Sequence, residues 1–449
     1  MTPTGVSRRR VDEVLARETG RFAELRPRGT RLLHDARRSM PLGVPMNWMS
    51  SAYEHPPVFV DAGSGASFTD VDGNSYVDFN LADTSMFTGY GVPRLVRVAA
   101  ERVAAGSQFL LPTEDAIEVS EQLAGRFGLP KWQYTSSATQ ANSEAIRVAR
   151  TVTGRNDVVM FDGKYHGHAD ELLAEAGGDG VKPLGRGVPR DATRHVRIVP
   201  YNDLEALERA LADGEVACVL AEAAITNCGV VMPADGFHTG LRELVSEAGS
   251  LLVLDETHTL VAGPGGLTGR WGLDPDVLVA GKSASGGIPL GCYGMKDEVA
   301  AVLDDPSLAW DQGVATGGTL FGNALSMAAA RVTLAEVLTD DAYESAAALG
   351  ARLADGIESA ARAHGLEWRA HRLFNRSGYT HAPELPGNAE EARATFDTDV
   401  YNLQRLYMAN RGVWDAMDSA GPACGIQHSD ADVDRYLEVL DAFLAEVAG

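Results

Sequence analysis

The chain has 449 residues, and its 62 acidic side chains outweigh 39 basic ones to give a formal net charge of −23. A surface this acidic excludes nonspecific binding to nucleic acid, whose phosphate backbone demands a basic face. Hydrophobic residues at 45% and charged residues at 22% are the balance of a globular protein long enough for two or three lobes around a sizeable core.

The opening residues 1–10 carry Arg8, Arg9 and Arg10 with no apolar stretch behind them, so no secretory leader is expected. No run of 18 apolar residues follows anywhere, so no membrane partner is expected and cytoplasmic residence is the default. Residues 8–38 read as charged and helical. Two extended segments come next, 57–61 and 66–79, the second a hairpin turning at Asp72-Gly73-Asn74. From about 76 to 330, apolar runs alternate with helical patterns, which marks a parallel α/β sheet. The clearest runs are 158–161, 217–222, 251–254 and 277–280. An Ala-rich helix over 324–338 leads into a mixed C-terminal region that closes with an acid-capped amphipathic helix over 430–444. The expected divisions are an N-terminal segment 1–75, a large domain 76–330 and a C-terminal domain 331–449. Cys218, Cys228, Cys292 and Cys424 are scattered without a CxxC pair, so neither a zinc site nor a disulfide framework is expected.

The chemistry-bearing residues lie just past the apolar runs. Residues 134–150 begin Tyr-Thr-Ser-Ser-Ala-Thr-Gln and pass directly into a helical pattern. Small hydroxyl residues there leave backbone N–H groups free at a helix N-terminus, a ready site for a phosphate. Asp162-Gly-Lys-Tyr-His-Gly-His-Ala-Asp170 follows the next run. His166 and His168 are read as loop hydrogen-bonders, since no third metal ligand stands nearby. Glu222 and Asn227 follow another run, Asp255 ends Leu251-Leu-Val-Leu, and Lys282 stands in Val277-Leu-Val-Ala-Gly-Lys. Alone, an aspartate or a lysine is usually a cap or a surface group. Together, at the carboxyl ends of buried strands, they suit pyridoxal 5′-phosphate. That cofactor needs an amine for a Schiff base and a buried anion to keep its ring nitrogen protonated.

The motifs Tyr165-His-Gly-His-Ala-Asp170, Pro200-Tyr-Asn-Asp203, Leu254-Asp-Glu-Thr257, Gly281-Lys282 with Gly286-Gly-Ile-Pro289, and Gly318-Thr-Leu-Phe-Gly-Asn323 make the chain resemble a class III (subgroup II) aminotransferase. Within that class it is similar to the glutamate-1-semialdehyde aminomutase branch. The resemblance runs from about Leu33 to the last helix. It implies PLP fold type I: an α/β large domain with a mostly parallel seven-stranded sheet, and a smaller α+β domain built from both terminal segments. It also implies a homodimer with shared active sites, and pyridoxal 5′-phosphate cycling with pyridoxamine 5′-phosphate. Carried over, it makes Lys282 the Schiff-base lysine and proton carrier, and Asp255 the partner of the ring nitrogen. Tyr165 and Thr257 cover the two ring faces. Ser137, Ala138 and Thr139 hold the phosphate, with Thr319 of the neighbouring subunit. Glu222 and Asn227 lie near O3′.

The departures shape the functional expectation. The usual Ser-Gly-Thr-Glu reads Ser137-Ala-Thr-Gln140, the usual Glu-Pro reads Glu222-Ala223, and the usual Gln or Met reads His258, which is expected to bond O3′ when neutral. Where the aminomutase places an arginine for its substrate's carboxylate, residues 42–49 carry no cation. Met46, Trp48 and Met49 suggest an apolar pocket wall instead, joined by Thr84 and Gln140. A replacement cation is expected from Arg376, Arg405 or Arg411, with Arg411 preferred. The reading is an aminotransferase that moves an amino group, not necessarily α, between a small-molecule amino donor and an oxo acceptor. The alternatives are a 1,2-aminomutase, a decarboxylase or racemase on the same fold, and a catalytically silent binding subunit.

Overall fold

The computed structural model describes residues 5–178, 180–305, 312–417 and 420–448. They form two compact units. The central unit is Pro93–Tyr343 with Pro386–Glu391, and the terminal unit is Met1–Val92, Glu344–Leu385 and Ala392–Gly449. The divisions therefore fall at 92/93 and 343/344, later than the expected 75/76 and 330/331. Packing explains both shifts. Strand Ser75–Asp78 pairs antiparallel with Ser67–Asp70 and parallel with Val413–Trp414, so the hairpin and the chain just after it stay with the terminal segments. Helix Ala324–Val332 packs on helices Pro93–Ala105 and Glu114–Phe127, which keeps the chain beyond 330 in the central unit. Residues 386–391 return to the central unit, where Asn202 Nδ2 donates to Gly387 O at 2.8 Å.

Seven strands build the central sheet: β1 (Lys131–Thr135), β2 (Asp157–Phe161), β3 (Val196–Val199), β4 (Val216–Ala221), β5 (Leu251–Asp255), β6 (Val277–Ala280) and β7 (Gly291–Met295). Their order is β1-β7-β6-β5-β4-β2-β3. β7 runs antiparallel to both of its neighbours, and the other six strands share one direction. Every residue of β4 and β6 is buried. That is why these segments read as unbroken apolar runs: a strand covered on both faces has no polar side. Two of the free cysteines, Cys218 on β4 and Cys292 on β7, are buried here, and burial pushes each thiol up to about 12.

The expected helix over 324–338 is α-helical only to Val332 and continues as a π turn, Thr333–Val337. Arg126 Nη2 donates to Leu334 O at 2.6 Å and to Leu338 O at 3.0 Å, so two carbonyls are served by a side chain where the ladder loosens.

In the terminal unit the hairpin turns where expected, with Gly73 at φ 87° and Asp70 N donating to Asn74 O at 2.9 Å. The last helix, Asp430–Val447, starts from a capping box of Ser429 and Asp432. Its buried face, including Val433, Tyr436, Leu440 and Phe443, joins Phe79, Tyr401 and Cys424 in one core. Among the described residues no helix is long and apolar enough to cross a membrane, and no cluster of His, Cys, Asp or Glu could hold a metal ion.

Candidate active site at the carboxyl edge of the central sheet

Five parallel strands deliver polar residues to the same edge of the sheet. β1 runs into Ser136 and Ser137, β2 into the loop 162–170, β4 into Glu222, β5 ends on Asp255, and β6 leads to Lys282. In an open α/β sheet this edge is where ligands bind.

The turn after β1 is built to meet an anion. Ser137 is extended (φ −158°, ψ 156°) and its hydroxyl makes no cap to helix Ala138–Thr153. The first-turn N–H groups of Ala138 and Thr139 have no acceptor within the helix. Thr135 Oγ1 donates to Ser137 O at 2.8 Å and fixes the turn. The chain passes so close that only glycine fits at two neighbouring positions. A Cβ on Gly291 would lie 2.3 Å from the carbonyl carbon of Ser137. One on Gly167 (φ +112°) would lie 2.4 Å from Thr139 Oγ1. The 162–170 loop is tied to the same turn, since His168 N donates to Thr139 Oγ1 at 3.2 Å. Gln140 Oε1 accepts from Ser136 N at 3.2 Å and Ser137 Oγ at 3.3 Å, so this side chain braces the turn.

Asp255 is 4% exposed and ionised. Its Oδ2 accepts from Asn142 Nδ2 at 2.7 Å and His166 Nδ1 at 2.9 Å, and its Oδ1 from Thr257 N at 2.9 Å. Burial pushes the carboxyl up, but hydrogen bonds from His166, Thr257 and Asn142 outweigh it and hold the pKa below the ordinary value. Burial keeps His166 neutral, so its Nδ1–H is the donor and Asp255 the anion. Three atoms around this carboxylate are buried without a hydrogen-bond partner: His166 Nε2, Thr257 Oγ1 and Asn142 Oδ1.

Lys282 sits just past β6 at φ 46°, a left-handed conformation for a residue with a Cβ, and opens the short 3₁₀ turn Lys282–Ser285. Its Nζ lies 2.9 Å from His258 Nε2. His258 is 7% exposed and was expected to reach a cofactor oxygen; its ring instead bridges Lys282 to Thr226, with Nδ1 2.9 Å from Thr226 Oγ1. Thr226 Oγ1 donates in turn to Glu222 Oε2. Asn227 Nδ2 donates to Glu222 Oε1 at 3.0 Å. Burial and the nearby charge of Asp255 push Glu222 up to about 7, against the pull of Thr226 and Asn227.

Asn142, His166 as a partner of Asp255, and Thr226 join the site only in the folded chain. His166 stands in a motif already singled out, and its neighbour in the fold rather than in the chain decides its role. Asn142 carries no local signal at all.

The substrate-side candidates divide. Gln140 belongs to the central unit. Trp48, Met49, Thr84 and Arg411 belong to the terminal unit. Trp48 and Met49 stand on the short helix Trp48–Ser51, 40% and 48% exposed. Thr84 is buried at φ 67° and its hydroxyl has no hydrogen-bond partner. Arg411 corrects the expectation of a free cation. It is bound to the fully buried Glu18, Nη1 to Oε2 at 2.9 Å and Nη2 to Oε1 at 3.0 Å, and its guanidinium lies 3.3 Å over the Tyr407 ring. Arg17 Nη2 on Oε1 at 2.8 Å and Asn410 Nδ2 on Oε2 at 2.9 Å complete the set around Glu18, so Arg411 is one member of a buried ion cluster and its place is structural. Arg405 differs. Its Nη1 donates to Ala52 O at 2.9 Å, while its buried Nε and Nη2 have no hydrogen-bond partner.

A mostly parallel α/β sheet that presents a lysine, an ionised buried carboxylate and a bare helix start along one edge defines a fold-type-I pyridoxal-phosphate enzyme. The chain belongs to the class III aminotransferases: the family model Aminotransferase class-III matches residues 48–372. It is 35% identical over 401 residues to a glutamate-1-semialdehyde 2,1-aminomutase of Anaeromyxobacter sp. (strain Fw109-5), covering 87% of this chain and 92% of that one. Among solved structures it is similar to a lysine-to-alanine variant of a glutamate-1-semialdehyde aminomutase from Pseudomonas aeruginosa PAO1 in complex with PMP. That match has TM-score 0.94 and 39% identity, over 99% of this chain and 100% of the other. A β-phenylalanine aminotransferase from Variovorax paradoxus matches with TM-score 0.87 and 25% identity, over 97% of both chains.

The residues fit the family's cofactor. The glycine-lined turn at Ser137–Thr139 suits a phosphate, the anionic Asp255 suits a protonated ring nitrogen, and the orphaned polar atoms around Asp255 await partners.

Proposed function

We propose that the protein is an aminotransferase, moving an amino group between a small-molecule amine or amino acid and an oxo acceptor. The observation that carries this is Lys282, held in a left-handed turn after the strand that pairs with the one ending on the buried, ionised Asp255. Bound at this edge, pyridoxal 5′-phosphate supplies an electron sink for the carbon that bears the transferred nitrogen. The chain's residues do the rest. Ser137, Ala138 and Thr139 anchor a phosphate through N–H groups and hydroxyls. Asp255 holds a positive charge at the ring nitrogen. Tyr165 and Thr257 confine the ring, and Asn227 stands by its oxygen. Lys282 Nζ removes a proton at one carbon and returns it at another, acting as general base and then as general acid.

Trp48, Met49, Thr84 and Gln140 remain our candidates for substrate contacts. Arg405 replaces Arg411 as the candidate for a substrate carboxylate, because its Nε and Nη2 form the edge that grips a carboxylate bidentately.

A 1,2-aminomutase is the second reading. The similarity to glutamate-1-semialdehyde aminomutases favours it, and the absence of a cation over residues 42–49 weighs against it. The test mixes holoenzyme with a panel of amines and amino acids and follows the cofactor's absorbance together with oxo products. Transamination releases an oxo acid or aldehyde from the donor. An isomerised substrate with no oxo product would establish the aminomutase instead.

We also propose a homodimer. Phe109, Leu110 and Leu111 are 49%, 70% and 71% exposed, and Leu320 is 59% exposed. These apolar side chains are linked through Gln108, whose Nε2 donates to Thr319 O and whose Oε1 accepts from the N–H groups of Phe109 and Leu110. Thr319 lies on this exposed segment, free to serve the phosphate of a partner.

A further inference from the structure

We propose that His258, Thr226 and Glu222 form a proton relay that loads and unloads Lys282. The inference rests on the role given above to Lys282 as proton carrier. Its basis is a continuous row of polar atoms. Lys282 Nζ and His258 Nε2 are 2.9 Å apart, His258 Nδ1 and Thr226 Oγ1 are 2.9 Å apart, and Thr226 Oγ1 contacts Glu222 Oε2. His258, Thr226 and Glu222 are all buried, at 7%, 0% and 3% exposure, so bulk water does not compete along the row. Glu222 is held at its far end by Asn227 Nδ2 on Oε1 and by Thr226 N on Oε2 at 3.2 Å.

Such a row has two complete proton registers. In the first, the Lys282 ammonium donates to His258 Nε2, His258 Nδ1–H donates to Thr226, and the Thr226 hydroxyl donates to the Glu222 carboxylate. Three protons then shift together. An Nζ–H bond breaks as Nε2–H forms. Nδ1–H breaks as a new Thr226 O–H forms. The old Thr226 O–H breaks as Glu222 O–H forms. Lys282 ends as the free amine, Glu222 as the acid, and His258 as the other neutral tautomer. No atom or electron enters or leaves. Each donor has an acceptor in both registers, so neither strands a buried polar atom. Burial and the nearby charge of Asp255 push Glu222 up to about 7, which makes it a readier proton acceptor than an ordinary carboxylate. His258 itself stays neutral at both ends, which avoids a buried imidazolium beside the lysine.

The relay is tested first without cofactor. In apo protein carrying ¹⁵N-labelled histidine, the wild type is expected to hold the His258 proton on Nδ1. Glu222→Gln should move it toward Nε2, because the amide turns the donor direction around. In the Thr226→Val background the Glu222→Gln change should leave the His258 tautomer unmoved, since the hydroxyl that carries the signal is gone. With holoenzyme, Thr226→Val should lower kcat about tenfold while KM stays within twofold. Its solvent isotope effect should fall to that of a single moving proton, and Thr226→Ser should restore both. A Thr226→Val enzyme with wild-type kcat and isotope effect, or a tautomer shift that survives loss of the hydroxyl, overturns the relay. A wild type that transfers no amino group from any donor would instead defeat the transaminase reading, and the apo tautomer cycle would still judge the relay.

Discussion

At the scale of single residues, two groups carry distinct loads. Lys282→Ala is expected to abolish turnover while the protein still binds pyridoxal 5′-phosphate noncovalently, because the phosphate and ring contacts lie on other residues; equilibrium dialysis of the inactive variant checks this. Asp255→Ala removes a preorganised anion and is expected to raise the barrier by about 3 kcal/mol, the cost typical of losing one such electrostatic partner. It also leaves His166 Nδ1 and Thr257 N without their acceptor and takes one of two acceptors from Asn142 Nδ2, so a fall of ~1–3 kcal/mol in stability should accompany it. A variant within tenfold of wild-type activity would place the working carboxylate elsewhere. Glu222 gives a pH signature. Its folded pKa of about 7 lies above the ordinary 4.5, so the folded state binds this proton more tightly than the unfolded chain does. The stabilisation is complete below 4.5, declines from there, and is gone above about 7. At most ~1.4 kcal/mol is lost per pH unit in that window. Apo Glu222→Gln should show a flatter stability curve between pH 4.5 and 7 than wild type, read by urea titration at each pH.

At the scale of elements, the parallel strands were legible because burial on both faces makes them uniformly apolar, and 217–222 and 277–280 coincide with β4 and β6 to within a residue or two. The positions of Lys282 and Asp255 followed from the same runs. What the chain did not disclose were partnerships made across the sheet. Arg411 looks like any surface cation until Glu18 is brought to it from a helix near the other end of the chain. His258 reads as a departure from a motif, and only the meeting of the turns after β4, β5 and β6 shows the row it belongs to. The π turn at Thr333–Val337 depends on Arg126, some two hundred residues earlier. The close crossing of β7 over the Ser137 turn is a fold-level fact with a direct consequence. Gly291→Ala puts a methyl group 2.3 Å from backbone atoms of Ser137, which cannot swing aside as a side chain would. The turn must move. We expect at least a tenfold loss of affinity for pyridoxal 5′-phosphate, measured by fluorescence titration, against a smaller loss of thermal stability in the apo protein. Unchanged affinity would show that this turn does not hold the phosphate.

At the scale of the whole molecule, the exposed Phe109-Leu110-Leu111 segment is the feature a net charge of −23 does not explain. A strongly acidic chain keeps copies apart by repulsion, so self-association requires apolar area that outweighs it. Leu110→Asp with Leu111→Asp is expected to shift the protein to monomer in sedimentation velocity. Because Thr319 neighbours this surface, the same double variant should release pyridoxal 5′-phosphate more readily. Binding that requires the assembled state stabilises that state in proportion to ligand, so added cofactor should partly restore the dimer. A double variant that remains dimeric would move the interface to another face.

The silent thiols supply a clock that needs no engineering. Cys218 and Cys292 lie inside the central unit and Cys424 inside the terminal unit, each buried with its thiol pushed up to about 12. A thiol so far from ionisation and so shielded is inert to alkylating reagents until its surroundings open. The rate at which each one is modified therefore times the opening of its own unit. Mass spectrometry of peptides from briefly alkylated native protein would read the two units side by side in a single tube. If pyridoxal 5′-phosphate secures the central unit, its addition should retard Cys218 and Cys292 together, and whether Cys424 slows with them reports how far that protection spreads through the chain.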